Sequence, residues 1–259
     1  MANRDPRIAA RHLDELASII DRVGPPAWVA GPTDAALLGI DGYELTRPFH
    51  FAVPRERAPH RAGHHFHRLR DVERLDGTTV FGLPCLSATR LLIESAADTD
   101  AARLTTMLDC ALRDGLTSEQ FLHRRIVELR RQGRRGLNQL LAVIEGAERS
   151  RGGHSYLERE FLVLLGELGF QRPVTQPVLA RRGTQLIRVD CHFPESDLVI
   201  ELLGYRFHRT KAQMQVDAER INELQLRGFT VVQFTYDDVA LRSTRMLATL
   251  DALAARMAA

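Results

Sequence analysis

The stretch RVDCHFPESDLVIELLGYRFH, residues 188–208, constrains this chain more than any other. Two short runs of strand formers (Val189 and Phe193; then Leu198, Val199, Ile200 and Leu202) each carry an acid, Asp190 in the first and Glu201 in the second. The turn residues Pro194-Glu195-Ser196-Asp197 separate the runs, so they read as neighbouring strands. A carboxylate set into a sheet is costly unless something pairs with it. Two at matching depth would repel, and a divalent cation would relieve the repulsion. The pattern therefore predicts either a metal site or two strand-end acids in ordinary ion pairs.

The surrounding elements predict the layer that holds these strands. Ser155 caps a helix, YLEREFLVLLGELG, that ends at Gly169. Residues 174–181, 185–193 and 197–203 read as three successive strands, and 211–227 as a helix ending at Gly228. FTVVQFT is a further strand, and Asp237 or Asp238 starts a last helix. Upstream, 6–23 has helical spacing and stops at Gly24-Pro25-Pro26. Thr33 or Asp34 is placed to cap a short helix through Leu38. FHFAVP, HHFHRL and TTVFGL read as strands. Helices are expected over 87–96 (N-cap Ser87), 100–114, from a Thr117/Gln120 capping box to about 132, and 136–146. The polar break ERSRGGH, 148–154, divides the chain into regions 1–148 and 152–259. The expected class is α/β (α+β): helices covering a hairpin-rich sheet in the second region, mixed helix and strand in the first.

Composition narrows the setting. A length of 259 residues suits one large or two ordinary domains. A formal charge of +2 announces no bulk polyelectrolyte binder, so a nucleic-acid surface would have to be local. Cys85, Cys110 and Cys191 are too far apart for a CxxC knuckle and suggest no disulfide framework. No apolar run nears 18 residues and the start is charged throughout. The expectation is a cytoplasmic protein with no membrane partner.

The order helix, three strands, helix, strand resembles the core of the PD-(D/E)XK nuclease superfamily. The finer pattern is similar to its branch of very-short-patch-repair (Vsr-like) endonucleases, a group that includes domains of unknown function. The residues that carry the likeness are Glu158 in YLEREF, Asp190 in RVDCHFP, Glu201 with Gly204 and His208 in IELLGYRFH, Asp217 with Arg220 in DAER, and GFTVVQFTYDDV. The resemblance covers roughly residues 152–257 and implies a three-layer αβα fold that hydrolyses phosphodiesters with Mg²⁺ or Mn²⁺. Asp190 and Glu201 would bind the metal, with the Leu202 carbonyl as a third donor. Glu158 would reach it through water or orient it, and His208 would serve as general base or phosphate contact. Gln176, Arg188, Lys211 and Arg220 would position the substrate, DNA ahead of RNA. Two residues after Glu201, where the superfamily carries Lys and the Vsr-like branch Asp, this chain has Leu203. Lys211, its only lysine, could substitute from another element. The alternative is a catalytically degenerate nuclease fold acting as a DNA-binding or antitoxin-type regulator.

The first region adds charge. RRIVELRRQGRRGL holds Arg124, Arg125, Arg130, Arg131, Arg134 and Arg135 against Glu128 alone. These are phosphate-binding candidates or a solvated helix face. HRAGHHFHR places His65 and His67 on one strand face, either a metal site or a polar exposed strand. TDAALLGIDGYEL, the histidine-rich strands and SATRLLIESA together resemble AbiEi-type antitoxins of bacterial abortive-infection systems, with Glu94 where that family usually has Asp. The likeness implies a possible protein partner in a defence or toxin–antitoxin setting.

Overall fold

A computed structural model describes residues 10–57, 59, 63–130, 135–150, 156–182, 185–204 and 211–258. The chain is a mixed α/β protein of two compact units, 1–147 and 148–259.

In the first unit, α1 (Ala10–Val23) buries Leu16 and Ile19, three apart on one helical face. It leads into β1 (Trp28–Val29), α2 (Gly31–Leu37), β2 (His50–Pro54) and β3 (His65–Leu69). A 3₁₀ turn at Arg74–Asp76, β4 (Gly77–Val80) and β5 (Leu83–Leu86) complete the sheet. The helices α3 (Ala88–Ser95), α4 (Ala101–Arg113), α5 (Glu119–Arg130) and α6 (Leu137–Ser150) come next. The sheet order is β3-β2-β1-β5-β4. The β2/β3 and β1/β5 pairs are parallel and the other two antiparallel. Phe49, Phe51, Val29, Leu37, Leu83 and Cys85 pack with α1 into one core.

Local capping differs from the sequence expectation at two helices. Thr33 and Asp34 lie inside α2, whose N-cap is Ala30, with no side-chain cap. The Thr33 hydroxyl instead accepts the His50 amide at 2.9 Å, tying the helix to the next strand. In α5 the cap is Ser118, whose Oγ accepts from the Phe121 amide. Thr117 is drawn away by a 2.5 Å hydrogen bond to the Thr89 hydroxyl. In both places a tertiary partner displaces the local one.

A buried ion network locks the helices to the sheet. Asp76 is 1% exposed, Arg90 0% and Arg125 2%. Both Arg125 Nη2–H and Arg90 Nη1–H donate to Asp76, at 2.9–3.0 Å and 2.8 Å. The spare Arg90 donors go to the carbonyls of Arg70 and Asp71 and to Glu94. Glu73 and Glu128 take Arg125 Nη1. One carboxylate thus joins α3, α5 and the turn before β4. Arg125 is therefore a structural cation, not part of the basic face expected of its helix. Removing one partner of such a network strands the others in low dielectric. Asp76→Ala is expected to cost about 3–5 kcal/mol in urea unfolding. Truncating the exposed neighbour Arg124 should stay within about 0.5 kcal/mol.

The second unit contains α7 (Tyr156–Glu167), β6 (Val174–Thr175), β7 (Val178–Arg182), β8 (Gln185–Arg188) and β9 (Cys191–Phe193). Then come β10 (Leu198–Leu203), α8 (Lys211–Leu226), β11 (Thr230–Thr235), α9 (Tyr236–Leu241) and α10 (Thr244–Ala258). The two strands expected over 174–181 and 185–193 are each broken in the middle. Their inner pieces join the sheet β11-β10-β9-β6, and their outer pieces pair separately as the ribbon β7-β8. The bend is fixed by Gln176, whose φ of 55° is left-handed, and by the exchange of Gln176 N–H to Asp190 O and Val189 N–H to Pro177 O. Strands β10 and β11 run parallel, with Glu201 opposite Gln233, joined by the α8 crossover. Val199 and Glu201, two apart on β10, share the face that meets Leu224 of α8.

The expected single C-terminal helix is two, separated at Arg242, where φ is 47°. Thr235, not Asp237 or Asp238, is the N-cap of α9, and Asp238 completes a capping box with it. Burial works against the Asp238 charge. The Arg245 guanidinium, the Thr235 amide and the Ser243 and Thr235 hydroxyls outweigh it and hold the carboxyl down to about 2. Its folded pKa lies below its unfolded value, so its stabilisation is complete above pH about 4 and is lost as pH falls toward 2. The stability gap between wild type and Asp238→Asn, measured by denaturant titration, should be full at pH 6 and shrink between pH 4 and pH 2.

Candidate active site: carboxylates at the strand break

The bend between the sheet and its ribbon is where the acids meet. Asp190 sits in the break between β8 and β9, Gln176 in the break between β6 and β7, Glu201 within β10 and Glu158 in the first turn of α7. The Gln176 side-chain amide bridges two of the acids, donating to Glu158 Oε1 at 2.9 Å and Asp190 Oδ1 at 3.1 Å. The Leu202 backbone N–H donates to Asp190 Oδ2 at 2.8 Å, so Asp190 is held from both sides. Arg220 projects from α8, one turn before Leu224. Its Nη2 donates to Glu201 Oε2 at 3.1 Å and its Nη1 to the Arg188 carbonyl at 3.0 Å. Glu201 is 3% exposed, and its second oxygen, Oε1, is buried with no hydrogen-bond partner.

The electrostatics arise from this crowding. Burial raises the Asp190 carboxyl; the Leu202 amide and Gln176 oppose the rise and the charge of Glu158 adds to it. Burial lifts Glu201 to about 7, against the pull of Arg220 and with the push of Asp190. The Cys191 thiol is pushed up to about 12, by burial first and then by the three acids, which keeps it protonated and non-nucleophilic. The folded pKa of Glu201 lies above its unfolded value, so its ionisation works against folding as pH rises from about 4.5 to about 7. Relative to wild type, Glu201→Gln should gain stability across that window and hold the gain at pH 8. A stability difference independent of pH from 4 to 8 would show that Glu201 titrates normally.

The donor set is all oxygen, which suits a hard divalent cation. Among the described residues no group of three His, Cys, Asp or Glu is placed to hold a metal by itself. Asp190 and Glu201 supply two carboxylates, so any cation here would keep water or carbonyl ligands, as Mg²⁺ commonly does. The remaining expected residues scatter. Arg188 is exposed and enters through its carbonyl, not its guanidinium. Arg220, expected on phosphate, is committed to Glu201. Leu203 is half-buried at the end of β10. His208 and the Lys211 side chain lie outside the described residues, as do Arg131 and Arg134. In the first unit Arg124 is exposed with its guanidinium 5.5 Å over the Phe121 ring, and Arg135 is exposed just before α6.

Two features of the structure have no mark in the local sequence. The amide of Leu202 that orients Asp190 is a backbone group, invisible to residue type. His50, a lone histidine in FHFAVP, meets His65 and His67 only through the β2/β3 register.

No helix among the described residues is long and apolar enough to cross a membrane. No family model matches the chain, and no solved structure matches it significantly. It is 28% identical over 241 residues to uncharacterized protein Rv2248 of Mycobacterium tuberculosis strain H37Rv. The same figures hold for uncharacterized protein MT2308 of strain CDC 1551. The alignment covers 92% of this chain and 85% of each relative, so the likeness extends through both units.

Proposed function

We propose that the second unit is a metal-dependent nuclease of restriction-endonuclease-like, Vsr-like three-layer architecture, cleaving phosphodiester bonds of DNA. The observation that carries this reading is the bare Oε1 of Glu201. A buried carboxylate oxygen without a donor calls for a cation or a proton, and it stands beside a second buried, oriented acid. A Mg²⁺ ion there would lower the pKa of a bound water and offset charge developing on the phosphate. Asp190 is presented rigidly, one oxygen held by the Leu202 amide and the other by Gln176. Glu158, linked through Gln176, lies within the same hydrogen-bonded set and would reach the metal through water or orient it. Arg220 favours the charged form of Glu201 against the effect of burial and fixes one of its oxygens, Oε2. The succession of α7, broken strands, β10, α8 and β11 supports the fold assignment. A defence or repair role in the cytoplasm completes the reading.

On this reading the full chain nicks or linearises supercoiled plasmid in Mg²⁺ or Mn²⁺ and not in chelator. Asp190→Ala and Glu201→Ala should each lower the rate about a hundredfold or more, roughly 2.7 kcal/mol of barrier. Gln176→Ala should cost less, about tenfold, because it orients a ligand without being one. Calorimetry should show Mn²⁺ binding in wild type and none in Asp190→Ala. Cleavage unchanged by both acid substitutions would remove the assignment.

Leu203 favours a second reading, a binding module without chemistry, because it leaves the end of β10 without the charged group expected there. Salt-dependent DNA binding that persists in chelator, with no cleavage under any metal, would select it.

A further inference from the structure

A second set of metal-ligating side chains stands in the first unit, on the sheet edge formed by β2 and β3. Parallel pairing sets His50 opposite His65 and Ala52 opposite His67, so the three imidazoles share one face. Alternation turns Phe51, Phe66 and Arg68 to the other face, where the two phenylalanines pack with the α1 core. Ala52 has only a methyl beside His67, which leaves room for the rings to meet across the strands. The His50 and His67 rings stack at 5.2 Å, with His50 Nδ1 2.9 Å from His67 Nε2. That contact needs a hydrogen on one nitrogen and a lone pair on the other, so the rings are not both imidazolium.

The backbone holds the pair in place. The His50 amide donates to the Thr33 hydroxyl at 2.9 Å, and its carbonyl accepts from the Ala30 amide at 3.0 Å, so His50 is tied on both sides to the start of α2. Gly31 comes against it with φ +54°, and a Cβ there would stand 3.3 Å from His50 Nδ1. Any side chain at 31 would crowd that nitrogen, and glycine leaves it clear. His67 is exposed and His50 half-buried, so a hydrated ion reaches them from solvent. Charge selects no occupant, because arginines line the same cleft as Glu94 and Asp98. The ring nitrogens do. Imidazole suits Zn²⁺, Ni²⁺ and Cu²⁺, whereas Mg²⁺ takes oxygen. With metal–nitrogen bonds of about 2.0–2.1 Å, a tetrahedral ion sets two nitrogens roughly 3.3–3.4 Å apart. The pair has to open by only about 0.4 Å, a small side-chain rotation, to admit one. The bridging hydrogen then moves to the far nitrogen of its own ring, so both facing nitrogens present lone pairs and no net proton is released. Among the described residues no third His, Cys, Asp or Glu converges with them, so water fills the remaining positions.

We propose that His50 Nδ1 and His67 Nε2 form a two-histidine site for a divalent transition ion of the Zn²⁺ class, with its other positions open to solvent. The site is separate from the oxygen-donor acids of the second unit and does not rest on the nuclease reading. The test is calorimetry of the full chain with Zn²⁺, in wild type and in Asp190→Ala, which disables the acids. Zn²⁺ binding should survive Asp190→Ala, and excess Mg²⁺ should not displace it. In that background His50→Ala and His67→Ala should each weaken it about tenfold or more, or roughly 1.4 kcal/mol. The double variant should lose little beyond either single one, because one imidazole alone does not chelate. The His67 side chain is exposed on its strand, so its truncation leaves the fold intact, and a thermal melt in chelator checks this. Should His50→Ala fail to fold, His67→Ala decides the matter alone. The proposal is overturned if no Zn²⁺ binds, if Asp190→Ala abolishes all of the binding, if Mg²⁺ displaces it, or if His67→Ala leaves it unchanged.

Discussion

A charge taken out of water must meet its counter-charge at once, and this constraint shapes both units. In the first, Asp76 neutralises two buried guanidiniums and in doing so joins two helices to the edge of a sheet. In the second, Glu201 has one oxygen satisfied by Arg220 and the other left bare. The first network is closed: every buried donor has an acceptor, and its role ends at holding the fold together. The second is open by one carboxylate oxygen. That difference separates a structural ion cluster from a candidate reactive one, even though both are built from arginines and acids.

The same contrast explains what could be read in the sequence. The periodic helices and the β-branched strands were legible because their signals are local. Leu16 and Ile19 recur at helical spacing, and Val199 and Glu201 alternate with Ile200. Asp190 and Glu201 stood out because acids inside apolar strands are expensive. The roles of individual arginines were not legible. Arg124 and Arg125 are adjacent and chemically identical, yet one is exposed and the other sits inside the protein against Asp76, 49 residues earlier. Only tertiary pairing distinguishes them.

The helix caps failed for the same physical reason. Thr33 and Thr117 have the chemistry of N-caps, but each hydroxyl found a stronger geometric match across the fold, with the His50 amide and with Thr89. Likewise, no residue in 174–193 announces a strand break. Pro177 is the nearest punctuation, and Gln176 adopts a left-handed backbone that its side chain does not favour. The break became visible only in the pairing. Cys191 belongs to one sheet and Ile187, four residues earlier, to another.

That broken hairpin separates two requirements that a continuous strand would combine. Along an unbroken strand, adding or losing one residue turns every later side chain to the opposite face. Here the β7–β8 ribbon lies beyond the bend, and the levels of Gln176 and Asp190 are set by their own mutual hydrogen bonds and by the inner strands. The ribbon can therefore lengthen, shorten or change its sequence with the acids left at their depth. Selection can reshape the outer half of the hairpin while the inner half keeps its register.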